Sequence, residues 1–211
     1  MVTDPDVFAL GDVHELLDRD MGDKAVMGRH RSDKSEKGYQ VATSVMLLDC
    51  AKLTHWNAEE MFGQLFRSEK DYKEWMVLTY EDPATLGYLE DCWNDFDHLD
   101  ANTRLLHNTK RRTQPWKTGL PVDFTPADKF KDKPLLASLN RLRANVFGEY
   151  GLLGRYHEHP DRQQEAFFFG LLQECLDCGH VSEQLVRDEI SKNHVRHDAF
   201  EVLARTPPLA G

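Results

Sequence analysis

Between Glu74 and Asn102 the chain has no lysine and no arginine, although it carries eight carboxylates there. That stretch holds most of the excess of 36 Asp and Glu over 26 Lys and Arg, and the resulting net charge of −10 opposes any general affinity for nucleic acid or an anionic membrane. Long apolar runs are missing as well. The strongest, Ala166–Leu172 and Val45–Leu48, are far too short to span a bilayer. The opening Met-Val-Thr-Asp-Pro-Asp is acidic and lacks an apolar segment, so no secretory signal is expected. Cysteine is limited to Cys50, Cys92, Cys175 and Cys178, which suits a reducing compartment and a cytoplasmic location. No Gly-rich phosphate loop, Gly-x-Ser-x-Gly elbow or His-Glu-x-x-His motif is present.

What the sequence does have is apolar residues at helical spacing, without a convincing alternating stretch. The expectation is an all-α fold: a compact bundle of about eight helices in one domain. One Pro-rich loop at 113–134 offers a subdivision into 1–112 and 135–211. Asp4-Pro5 is read as the start of a first helix on Val7, Leu10, Val13, Leu16 and Leu17. After a polar loop over 28–38, a second helix is expected over 40–55 on Val41, Val45, Leu48 and Ala51. A third is capped by Asn57, with Met61, Leu65 and Phe66 facing inward, and a fourth covers 70–80. The longest pattern starts at Asp82-Pro83 and reaches Asn108. Further helices are expected over 135–156, over 161–178 with Gly179 as the stop, and over 181–203.

On a helical wheel the 82–108 segment sorts into two arcs. Leu86, Leu89, Cys92, Trp93, Phe96 and Leu99 form the apolar one, and Glu90, Asp91, Asn94, Asp95, Asp97 and His98 the other. Glu90, Asp91, Asp95 and Asp97 would then make a continuous acidic face. The leading reading is a non-enzymatic regulatory or inhibitor protein whose acidic face docks on a basic protein surface, in competition with nucleic acid. It needs no cofactor and no membrane, and it does not itself bind nucleic acid. Asp91, Asp95 and His98 share a face as candidate hard-metal ligands, but no second Glu-x-x-His completes a dimetal carboxylate set.

Two other readings come from the second half. Arg187-Asp188 followed by His194 resembles, in its loosest form, the motif of HEPN-family ribonucleases, and the resemblance implies an all-α fold with Arg187 and His194 acting on a scissile phosphate. Cys175, Cys178 and His180 have the spacing of half a structural zinc site. The competing reading of these cysteines is packing, because the strongly apolar 166–178 helix is suited to a core or to a homodimer interface. Lys110-Arg111-Arg112 beside Trp116-Lys117, and Arg29, Arg31, Lys34 and Lys37, are basic patches suited to solvated loops or to internal counterparts of the acidic stretch.

Overall fold

Val41, Thr43 and Val45 are β-branched, and such side chains pack well on a pleated surface. In the structure, a computed structural model describing residues 1–31, 41–124, 142 and 154–209, they lie in a strand rather than in the expected second helix. The chain divides into two compact units, Met1–Thr109 and Lys110–Gly211. The fold is mixed α/β, with two sheets and six α-helices among the described residues, and this overturns the all-α expectation.

The first unit holds both sheets. Strands β1 (Val2–Thr3), β3 (Val26–His30), β4 (Val41–Leu48) and β5 (Leu86–Leu89) form one, in the order β1-β4-β3-β5. The β3–β5 pair is parallel and the others antiparallel. Strands β2 (Val7–Ala9), β6 (Asp95–Phe96) and β7 (Leu105–His107) form the other, in the order β2-β7-β6. Helices α1 (His14–Leu17), α2 (Ala58–Phe66) and α3 (Tyr72–Met76) connect the strands.

A bulge explains the misread second helix. Pairing along β3 passes from Arg29↔Ala42 to Gly28↔Met46, leaving Thr43, Ser44 and Val45 without partners on that side. Val41 and Val45 are both fully buried but in different clusters, and their four-residue spacing imitates a helical turn. Gly28 lets the bulge close, since a Cβ there would stand 2.5 Å from Val41 Cγ1 and 3.0 Å from the Ala42 carbonyl. The first expected helix is likewise β2 followed by the single turn of α1.

The 82–108 segment is no helix either. It runs through 3₁₀ turns at Pro83–Thr85 and Asp91–Asn94, separated by β5 and followed by β6 and β7. Leu86 and Leu89, at the two ends of β5, and Trp93, in the 3₁₀ turn that follows, are buried as the wheel requires, without a helix to carry the polar arc. One core cluster joins Leu16, Val45, Leu47, Leu89, Trp93 and Leu105, and a second joins Ala25, Val26, Val41, Leu53, Leu78 and Leu86.

Two of the expected helices form behind side-chain caps. Asn57 Oδ1 accepts from the Glu60 amide at 3.0 Å and opens α2, although Phe66 points to solvent. In the second unit, Asp161 accepts from the Gln163 amide at 2.9 Å and opens α4 (Arg162–Asp177), and Gly179 follows with φ of 72°. The expected 181–203 helix is two helices, α5 (Glu183–Ser191) and α6 (Ala199–Arg205), broken where Asn193 takes φ of 60°. Residues 113–124 hold 3₁₀ turns and a bridge between Pro121 and Arg155, while 125–134 and most of the expected 135–156 helix lie outside the described residues. Among the described residues no helix is long and apolar enough to cross a membrane.

Phe169, Ala199, Val202 and Leu203 form one core cluster of the second unit, where Trp116 packs tilted against Phe168 at 4.9 Å. Beside them, Arg196 is buried and held by both oxygens of Asp198 (2.6 and 2.9 Å) and by Glu165 (2.5 Å). Its hydrogen bonds hold the Asp198 carboxyl below the usual range. Burial opposes ionisation of Asp123, but bonds from Lys117 (2.6 Å) and Tyr156 prevail and also lower it. Groups shifted this way stabilise the fold above the ordinary aspartate range, and that stability is lost as pH falls through it. Arg196→Leu removes the buried cation that Glu165 and Asp198 share and should cost about 2–3 kcal/mol in a denaturant titration, Arg205 remaining near Glu165. The same variant should show a shallower loss of melting temperature below about pH 4, because part of the linkage is already gone.

Candidate metal centre

Asp4-Pro5-Asp6, read from sequence as a helix start, is a turn in the structure. Proline is favoured at the second position of a β-turn, and the Val7 amide closes this one on the Asp4 carbonyl at 3.3 Å. The Asp4 amide in turn donates to the Ser44 carbonyl in the β4 bulge at 2.8 Å. Strand β2 leaves the turn and pairs antiparallel with β7 in the register Val7↔His107, Phe8↔Leu106 and Ala9↔Leu105. The Asn108 amide continues the ladder to the Asp6 carbonyl at 3.2 Å. Residues about one hundred positions apart in sequence are thereby fixed side by side.

Asp4, Asp6 and His107 each place one ligand-type atom within 4.8 Å of the other two. Their exposure is graded: Asp4 is exposed, Asp6 half-buried and His107 buried. His107 Nε2 stands 3.5 Å from Asp6 Oδ1, and Nδ1 lies 3.1 Å from Asn94 Oδ1. Phe96 meets the imidazole edge-on at 5.6 Å. Ligand atoms around a Mg²⁺-sized ion lie about 3 Å apart when adjacent and about 4.2 Å when opposite. Small side-chain rotations would therefore close this set onto one cation. Asp4 also lines a cavity of about 520 Å³ whose walls include Trp56, Phe62, Tyr72 and Trp75. That volume lies in the range of small-molecule sites.

Asp95, His98 and Asp100 form a second grouping of the same kind, but it is a braced turn. Thr103 donates to Asp95 at 3.0 Å, and the amides of Asn102 and Thr103 donate to Asp100 at 2.7 and 3.2 Å. The Asn102 amide is the main reason that the Asp100 carboxyl is held below its ordinary value. Arg29 Nη1 stands 3.8 Å from Asp95, so a cation here would compete with a guanidinium already in place.

The helical face expected from sequence does not form. Glu90 pairs with Arg19 at 2.6 Å, and that bond lowers its carboxyl pKa. Asp91 pairs with Arg29 at 3.0 Å, Asp95 is bonded as above, and Asp97 accepts from Thr109 Oγ1. The four residues sit at a strand end, in a 3₁₀ turn, in β6 and in a left-handed position (Asp97, φ of 50°), not on one helical surface. Arginines from earlier in the chain answer Glu90 and Asp91. The reading as a non-enzymatic acidic docking protein is therefore not retained.

The other sequence-derived sites fare as follows. Arg187 bonds Glu183 at 3.0 Å and lies over the Phe200 ring at 4.3 Å. Asp188 accepts from Gln184 at 2.8 Å, and His194 bonds Glu189 at 2.6 Å in the turn after α5. Each belongs to a local pair, and the chain as a whole is mixed α/β rather than the all-α protein that the HEPN resemblance implies. Cys175, Cys178 and His180 lie at the end of α4, both thiols free, and they are not among the three-ligand groupings of the described residues. The grouping of Asp4, Asp6 and His107 is not among the sites expected from sequence. The available signal was Asp-x-Asp beside a short β-branched and aromatic run, but nothing local ties it to His107.

No family model matches this chain, and no curated protein does. Among solved structures it is similar to the galactosyltransferase LgtC in complex with donor and acceptor sugar analogues. The identity is 16% and the TM-score 0.41, over 54% of this chain and 53% of the other. The chain thus spans about half the length of the enzyme that it matches. A likeness of this size does not define a function.

Arg29 is the brace of this region. Its guanidinium bonds Asp91 and the Asn94 carbonyl (2.7 Å) and covers the Phe96 ring at 4.3 Å. Arg29→Met should lower the stability of the first unit by about 2 kcal/mol in urea.

Proposed function

We propose that Asp4, Asp6 and His107 bind one divalent cation of the Mn²⁺ or Mg²⁺ type, and that the protein is a metal-dependent transferase acting on a phosphate-bearing donor. The observation that carries this reading is the convergence of two carboxylates and one imidazole within 4.8 Å, one of which, Asp4, also lines a ligand-sized cavity. Oxygen donors suit hard cations, and a single imidazole is compatible with Mn²⁺. Three protein ligands leave about half of an octahedral shell for water and substrate phosphate, the usual arrangement for such ions at phosphate sites. A bound cation supplies neutralisation of the charge on phosphate oxygens as they depart.

The donor class proposed is a nucleoside diphosphate sugar. Its diphosphate provides the oxygens that the open positions require, and the flat walls of Trp75 and Tyr72 offer apolar faces for a ring beside Asp4. The reaction would break the bond from the anomeric carbon to the diphosphate oxygen and form one to an acceptor hydroxyl, whose proton is released.

Calorimetric titration with Mn²⁺ should give one site per chain. Asp6→Asn and His107→Ala should each weaken it by more than the roughly 10–100-fold typical of outer-shell changes. Release of nucleoside diphosphate from a panel of sugar donors should stop with EDTA and return with Mn²⁺. Equal Mn²⁺ binding by the wild type and a triple Asp4→Asn, Asp6→Asn, His107→Ala variant would overturn the proposal.

A further inference from the structure

The geometry assigns to Asn94 the role of a positioning residue that fixes which nitrogen of His107 carries its proton, an inference that rests on His107 being a cation ligand. Asn94 is completely buried, in the 3₁₀ turn ahead of β6, and its side chain lies between two partners. Its Nδ2 donates to Ser44 Oγ at 2.9 Å, and its Oδ1 lies 3.1 Å from His107 Nδ1. An amide oxygen only accepts, so the contact requires a proton on Nδ1. The neutral ring then presents an unprotonated Nε2 on the side of Asp6, the form that a metal ligand must have.

Three elements hold the amide in place. Ser44 belongs to the β4 bulge and accepts from Nδ2, which favours the orientation with Oδ1 toward the imidazole. Arg29 in β3 donates to the Asn94 carbonyl at 2.7 Å and fixes the backbone beneath it. Phe96, two residues on, packs edge-on against His107. At 3.5 Å, Nε2 and Asp6 Oδ1 stand farther apart than a good N–H···O bond, so the carboxylate does not hold a proton on Nε2 as firmly as Asn94 holds one on Nδ1. The larger sheet thus sets the state of a side chain in the smaller one. Ser44 also holds Asp4 through its backbone carbonyl, so one bulge residue serves two of the three ligands.

The test is a long-range ¹H–¹⁵N spectrum of histidine-labelled protein, metal-free and at a pH above the imidazole titration, with His107 assigned by its absence in His107→Gln. The wild type should show His107 protonated on Nδ1. Asn94→Ala should lose that preference, and Asn94→Asp, which keeps an acceptor, should retain it. Manganese affinity should fall about 10–100-fold in Asn94→Ala and largely return in Asn94→Asp. If Asn94→Ala does not fold, Ser44→Ala frees the amide without removing it, and a rise in the Nε2-protonated fraction is expected. A proton on Nε2 in the wild type, or an unchanged Nδ1 proton in folded Asn94→Ala, would overturn the assignment. If the tautomer behaves as stated while the wild type binds no Mn²⁺, the positioning role stands and the cation reading of the site falls.

Discussion

The antiparallel pairing of β2 with β7 is the contact on which the first unit depends. Three residues of each strand are involved, and their hydrogen bonds carry the Asp4–Asp6 turn to the end of Leu105–His107. Leu105 at one end of the ladder lies in the core cluster with Val45, Leu47 and Trp93, so the small sheet is anchored to the large one by apolar burial. Without that pairing the two carboxylates would belong to a surface turn and His107 to an unpaired strand. With it they become neighbours whose exposure falls from the solvent side inward.

Charge is organised by the same rule. The long stretch without a cation is met by arginines from earlier in the chain: Arg19 on Glu90, and Arg29 on Asp91 and the Asn94 carbonyl. Arg29 is largely covered and lies against an aromatic ring, so its interactions are less screened than those of a fully exposed ion pair. A basic residue that looks like part of a loop patch in sequence is therefore a brace of the fold. In the second unit Arg196 has the equivalent role, between Glu165 on one helix and Asp198 at the start of another.

How much was legible in the sequence follows from the range of the interactions concerned. The caps formed by Asn57 and Asp161 act over two or three residues, and α2 and α4 begin where the sequence places them. The strands depend on partners far along the chain. Their local signal is further disguised by a three-residue bulge in β4, and by core residues 86, 89 and 93 that follow a helical spacing across β5 and the 3₁₀ turn after it. Leu86, Leu89 and Trp93 were rightly read as core, yet the element carrying them was wrong. Asn94 shows the limit clearly: on a helical wheel it is a solvated residue, and in the fold it is buried between Ser44 and His107. The Asp4–Asp6 turn and His107 carry no local signal of each other at all.

The distance in sequence between that turn and β7 has a thermodynamic side. Any cation that engages both ends closes a loop of about one hundred residues, and loop closure of that size removes several kcal/mol of entropy from an open chain. An unfolded chain does not bring these groups together, so such an ion would bind the native state alone, and its concentration would add directly to folding stability. The first unit would then be most rigid when loaded, with the cation acting as a removable cross-link between the start of the chain and the last strand of its sheet.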